Sequence, residues 1–347
     1  MSWQTIGQPK ILDLFRNALR TGSLSHAYLL VGPPQVGKMT LALDLAMALN
    51  CQAESESRPC GQCISCQKIS SGKHADVQVI GLNSNLSDDE AKERTEISIE
   101  QIKQMLHTTS LPPFEGQHRV YIIDEAGYLS TEAANCLLKT LEEPVGRVVF
   151  ILLTANLHLL PTTLISRCQR LNLSRLRTAE VESVLVDRWH IEPEKARLLA
   201  RLSCGCLGWA VEAFKNSGLL EDRGEQFEKM KTVMHGDYSQ RFAIAYQLAM
   251  QFGKKREAVY ETLDTWASCW RDILLVKTGC DSDITNTDYL PDLAALAGDF
   301  NLFQIKAALM SILETGKQLR VNANARLAID ALMLNLPQAG KGIVISK

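Results

Sequence analysis

Cys51, Cys60, Cys63 and Cys66 are spaced C-x8-C-x2-C-x2-C. Two consecutive C-x2-C steps curl their thiolates toward one point, and a fourth thiolate closes a tetrahedral set with no open position for catalysis, the donor pattern of structural zinc. Four free thiols and an iron–sulfur centre are the alternatives, and the spacing favours zinc.

A second group precedes it. Gly32-Pro33-Pro34-Gln35-Val36-Gly37-Lys38-Met39-Thr40 follows an apolar run and opens a helix. Gly32 and Gly37 let the backbone wrap a phosphate, amides at the helix start add positive potential, and Lys38 adds a charge for the outer phosphates. A chance loop at a strand-to-helix turn is the competing reading. A magnesium-ligating hydroxyl belongs directly after the lysine, where this chain has Met39, and a thioether is no substitute for a hard oxygen ligand. Thr40 is one residue too late for the metal but within reach of an inner phosphate. The loop therefore predicts ATP and Mg binding at most, with hydrolysis crippled. Further on, Val120-Tyr121-Ile122-Ile123 ends in Asp124-Glu125. At the end of a buried strand the first carboxylate would hold a metal and the second orient the attacking water. Solvated turn charges, or acids opening the next helix, would look the same.

Such groups need a rigid scaffold. Apolar runs at 27–32, 77–82, 119–124 and 148–154 alternate with helical patterns at 8–21, 38–50, 98–109 and 130–142, as in a parallel sheet covered on both faces. Beyond Leu176 only helical periodicity remains: Thr178 to His190, Pro193 to Leu202, Gly208 to Asn216, 254–277, 290–297 and 301–334. Asn83 to Glu96, rich in Ser, Asp and Glu, is expected to be flexible. Trp3, His26 and the Trp266/Trp270 pair read as packing residues rather than cofactor ligands.

With 347 residues, 46% hydrophobic and 22% charged, the chain can bury two or three cores. A net charge of -2 excludes an overall basic field, so any DNA contact is local or shared with partners. No membrane-length apolar run and no leader pattern is visible, which predicts a cytoplasmic protein. In that compartment ten cysteines argue against a disulfide framework, and the six outside the cluster are expected to be small buried apolar residues.

Taken together these motifs resemble the AAA+ clamp-loader family of the bacterial DNA polymerase III holoenzyme. The cysteine knuckle between phosphate loop and second strand is its specific mark, joined by Ile6-Gly7-Gln8, His26-Ala27-Tyr28-Leu29-Leu30, Leu137-Leu138-Lys139-Thr140-Leu141-Glu142-Glu143-Pro144 and Ser166-Arg167-Cys168. The match is strong over the first 175 residues and weak beyond, resting there on patterns such as Asn322 to Leu336. It implies an α/β AAA+ P-loop core with a parallel sheet and zinc knuckle over 1–175, a small helical lid over 176–221 and an all-α C-terminal collar for oligomerisation over 222–347.

The resemblance also implies roles. Arg167 becomes an arginine finger reaching a neighbour's nucleotide in trans, and Thr154 a polar sensor beside the outer phosphate, unless its hydroxyl merely bonds backbone. Where active loaders carry G-S-x-R-x-A this chain reads Gly205-Cys206-Leu207-Gly208-Trp209-Ala210, with Gly208 in place of the phosphate-sensing arginine. Met39 and Gly208 together point to a subunit that lends a finger without turning over ATP, leaving Glu125 vestigial. The implied partners are gamma/tau and delta subunits in a hetero-oligomeric ring, with the sliding clamp and primed DNA reached through the complex. A catalytically active gamma/tau-like ATPase is the alternative, kept alive by Lys38, Asp124 and Glu125. A free-standing nucleic-acid binder fits poorly, because the knuckle carries Arg58, Lys68 and Lys73 but no basic stripe.

Overall fold

The computed structural model describes residues 3–54, 57–82, 96–109, 111–143, 146–321 and 323–339. The stretch expected to be flexible, Asn83 to Glu96, lies outside them except for Glu96. The chain divides into two units: Met1–Arg177 with Gly205–Trp209, and Thr178–Cys204 with Ala210–Lys347.

The first unit runs α1 (Pro9–Thr21), β1 (Ala27–Val31), α2 (Lys38–Asn50), α3 (Ile64–Ser70), β2 (Val77–Ile80), α4 (Ile99–Thr109), β3 (Arg119–Ile123), α5 (Thr131–Glu142), β4 (Val148–Thr154), α6 (Thr162–Ile165) and β5 (Gln169–Asn172). Its five strands are parallel, in the order β2-β3-β4-β1-β5. Alternate side chains serve opposite faces, as the period of a strand requires. Tyr28, Leu30, Val120, Ile122, Ile151 and Leu153 join α1, α2 and the knuckle on one side. Leu29, Tyr121, Ile123, Phe150 and Leu152 join α4 and α5 on the other. Three elements escape the sequence reading, the four-residue α6 among them. The edge strand β5 has no apolar run because only Leu171 of its four residues is buried, and α3 is hidden among the cysteines.

Below the sheet, the loop entering β3 is fixed by two buried polar residues. Asp76 accepts the amides of Phe114, Glu115 and Gly116 at 2.7–2.8 Å, and Asn50 Oδ1 accepts those of Gln117 and His118 at 2.8 and 2.9 Å. Burial by itself would raise the Asp76 carboxyl, but the three amides and Arg119 outweigh it and hold it below its ordinary value. A depressed folded value means that the stabilisation is complete above the unfolded carboxylate value of about 3.9 and is lost as pH falls through the lower folded value. Asp76→Asn is expected to cost about 2–3 kcal/mol near pH 7, a cost that shrinks below about pH 4. Denaturant unfolding across that range checks it.

The second unit is helical: α7 (Thr178–Trp189), α8 (Pro193–Leu202), α9 (Leu207–Lys215), α10 (Gly218–His235), α11 (Tyr238–Lys254), α12 (Arg256–Thr278), α13 (Leu290–Asp299), α14 (Leu302–Arg320) and α15 (Ala325–Asn335). The first three residues of α9 cluster with the first unit. Trp266 and Trp270 are fully buried in the core of the second unit. The single helix expected over 301–334 is two, because Asn324 caps α15 by accepting the Leu327 amide at 3.2 Å and starts a new helix there. The scattered cysteines also need correction. Cys206 and Cys269 are buried and Cys136 and Cys168 half-buried, but Cys204 and Cys280 are exposed. Both exposed residues sit just beyond helix ends: Cys204 has φ 47° just after α8, and Cys280 follows the left-handed Gly279 that ends α12.

Candidate functional site

The phosphate loop joins β1 to α2 at the carboxyl ends of the strands, where an open parallel sheet places its ligands. Gly37 takes φ 102° to start α2, a backbone that glycine adopts freely. Thr154, at the end of β4, pairs with Val31 and accepts the Gly32 amide on its carbonyl at 3.1 Å. Its buried hydroxyl donates to the Asn156 carbonyl at 3.0 Å and accepts the Asn156 amide at 3.1 Å. That is the backbone-bonding alternative to a phosphate sensor.

Lys38 bends back onto its own loop. Its Nζ donates to the carbonyls of Gly32 and Pro33, both at 2.8 Å. Burial pulls the ammonium below its ordinary pKa, partly offset by the attraction of Asp124, Cys206 and Glu125. The structure thus brings Lys38 and the acidic pair into one electrostatic neighbourhood. Asp124 Oδ1 accepts the Glu125 amide at 2.9 Å, and Glu125 is exposed with a left-handed backbone, φ 51°. Met39 packs its side chain against the apolar cluster beneath α2, while Thr40 is half-buried one residue on.

Gly208 does more than vacate a position. Its amide donates to the Gln35 carbonyl at 3.0 Å. A Cβ at 208 would lie 2.6 Å from that same oxygen. The backbone in the first turn of α9 is therefore seated directly on the phosphate loop, at a distance no larger residue permits without moving it.

The knuckle brings its four sulfurs within 4.8 Å of one another. Cys51 to Cys63 and Cys60 to Cys66 are each 4.0 Å. A tetrahedral site with Zn–S of about 2.3 Å has sulfur edges of about 3.8 Å, so the donors fit a metal ion with a contraction of less than about 1 Å. Backbone amides aim at the sulfurs: Ala53 and Cys60 at Cys51, Gln62 and Cys63 at Cys60, and Cys66 at Cys63. The amides of Gln62 and Cys63 pull the Cys60 thiol down to about 6. Burial opposes the shift at Cys63, where the amides of Gln52 and Cys66 still leave it lowered, and burial pushes Cys51 and Cys66 up. Such a set holds some thiolates readily and the rest only with a cation among them.

Arg167 follows α6 at the surface. Its NH1 donates to the Thr163 carbonyl at 2.7 Å, and its NH2 donates to Glu142 Oε1 at the end of α5. His26 Nε2 lies 3.0 Å from the Leu141 carbonyl, a structural bond.

Comparison with known proteins places the chain. Residues 7–177 match the family described as DNA polymerase III, delta subunit, and residues 228–338 match its C-terminal counterpart. The DNA polymerase III subunit delta' of Bacillus subtilis is 29% identical over 340 residues, 97% of this chain and 99% of that protein. The chain belongs to the delta-prime family of DNA polymerase III clamp-loader subunits. Its kinship with gamma/tau is visible in the tau subunit of Escherichia coli, 30% identical over 308 residues, which cover 87% of this chain but only 46% of tau. A solved gamma subunit-related protein of Thermotoga maritima aligns over 92% of this chain at 16% identity and a TM-score of 0.43. No described helix is long and apolar enough to cross a membrane.

Within this family setting, two contacts had no signal in the sequence. The seat of Gly208 on Gln35 joins residues far apart in the chain. Glu142 stands in the quoted Leu137 to Pro144 motif, yet only the fold brings it to Arg167.

Proposed function

We propose that this chain is the non-hydrolysing member of a clamp-loader ring and that it lends Arg167 to a neighbouring ATPase subunit. The observation that carries the reading is the self-closed phosphate loop, with Lys38 bonded to Gly32 and Pro33 and Gly208 seated on Gln35. A nucleotide would have to draw Lys38 off two carbonyls at a site where Met39 gives magnesium no hydroxyl. Arg167, by contrast, is at the surface, where a planar cation can meet a neighbour's outer phosphate and stabilise charge developing in transfer.

Cys51, Cys60, Cys63 and Cys66 hold a structural zinc that ties the knuckle to the core; the metal supplies no chemistry to ATP. Segment 176–221 serves as lid and 222–347 as collar, and the protein works in the cytoplasm. Partners are gamma/tau and delta subunits, with the sliding clamp and primed DNA engaged by the assembly.

Purified chain alone is expected to hydrolyse no ATP above background, and Lys38→Ala is expected to change nothing. Turnover that Lys38→Ala abolishes would place the chain with the gamma/tau ATPases instead.

A further inference from the structure

We infer that Glu142 is the positioning residue for the Arg167 finger, holding one edge of the guanidinium so that the other is presented at the subunit surface. The inference rests on the trans-finger reading above. Arg167 is the second residue beyond α6, a four-residue helix that is too short to fix a long side chain by packing. Besides a long 3.5 Å bond from NH1 to the neighbouring Ser166 hydroxyl, two contacts hold it. NH1 donates to the Thr163 carbonyl at 2.7 Å, one turn back, and NH2 donates to the Glu142 carboxylate from the C-terminal end of α5. A guanidinium has five donors in a fixed plane, and anchoring NH1 and NH2 this way sets the orientation of that plane.

The pair is neither a buried structural bridge nor a loose surface one. The Arg167 side chain keeps 33% of its exposure and Glu142 keeps 51%, so the cation is held in place while still open to solvent. An exposed ion pair adds little to stability. Its consequence is geometric: it removes rotamer freedom from a side chain that must meet a phosphate in one orientation, so less ordering remains to be done at the moment of transfer. Glu142 acts through Arg167 and touches no nucleotide of its own.

The test uses the assembled complex of this chain with its gamma/tau-type and delta-type partners, with clamp and primed DNA present. Glu142→Ala is expected to lower stimulated ATPase about three- to tenfold at the affected site through kcat, with KM for ATP unchanged. Glu142→Gln keeps an acceptor oxygen and is expected to retain most of the activity. In an Arg167→Ala background, Glu142→Ala is expected to cause no further loss, because its effect passes through the arginine. Three results overturn the inference: Glu142→Ala raising the rate, which would make the pair a restraint; Glu142→Ala leaving it unchanged; or an equal loss in the Arg167→Ala background, which would mark a structural role. If Arg167→Ala alone has no effect, the finger reading itself fails, and the positioning role fails with it.

Discussion

Cys63→Ser is expected to abolish zinc binding and to lower the melting temperature by about 5–10 °C, the shift that a loss of a few kcal/mol produces in a protein of this size. Cys63 joins the cluster to α3. Its sulfur is 4.0 Å from Cys51 and caps α3 by accepting the Cys66 amide at 3.5 Å. Cys51 and Cys66 are buried in the same apolar cluster as α1, α2 and one face of the sheet. Loss of the metal would therefore loosen α3 and the end of α2 first. Apparent zinc affinities of about 10–16 kcal/mol in small zinc domains show how much such a site can hold together. The protein as purified is expected to carry one zinc per chain, and a strong chelator should reproduce the variant's melting curve in the native chain without altering the variant's. Metal analysis that finds no zinc, or iron with visible absorbance, would contradict this assignment.

Arg167→Ala should leave folding and assembly intact, because its contacts are with one carbonyl, the neighbouring Ser166 hydroxyl and one exposed carboxylate. The loss falls on the neighbouring ATPase site. Arginine fingers in other phosphoryl-transfer systems contribute about 10³–10⁵ in rate. One site deprived of its finger would become silent, while the remaining sites of the ring continue. The fall in total clamp- and DNA-stimulated turnover then equals that site's share. Arg167→Lys should recover little, since an ammonium keeps the charge but lacks the planar fork that holds Thr163 and Glu142 and that a bidentate phosphate contact would require. Steady-state ATPase of complexes verified by size and composition reads the effect.

Much of the first unit was legible because each buried strand announces itself as an apolar run, and the phosphate loop and knuckle are local in sequence. The boundaries of α2 and β4 follow from their own residues: Gly37 and Lys38 open α2, and a run from Val148 to Thr154 is buried along its whole length. What was not legible depends on partners distant in the chain. The strand β5 exists because Tyr28, Leu29, Leu30 and Val31 offer it a ladder, not because Gln169-Arg170-Leu171-Asn172 has strand periodicity. The break between α14 and α15 turns on a single cap at Asn324, within a pattern that otherwise keeps its helical period. For the candidate site, the sequence supplied Met39 and the missing arginine at 208. Only the fold revealed that Gly208 is pressed against Gln35 and that Lys38 is occupied by its own loop.

The most direct test sets two variants of this chain side by side in the reconstituted loader: Lys38→Ala and Arg167→Ala, with clamp- and DNA-stimulated ATPase measured for each. If the chain lends an arginine and hydrolyses nothing, Lys38→Ala retains full activity and Arg167→Ala loses the share of one site. The opposite pattern, with activity lost in Lys38→Ala and kept in Arg167→Ala, would contradict the claim and make the chain an ATPase in its own right.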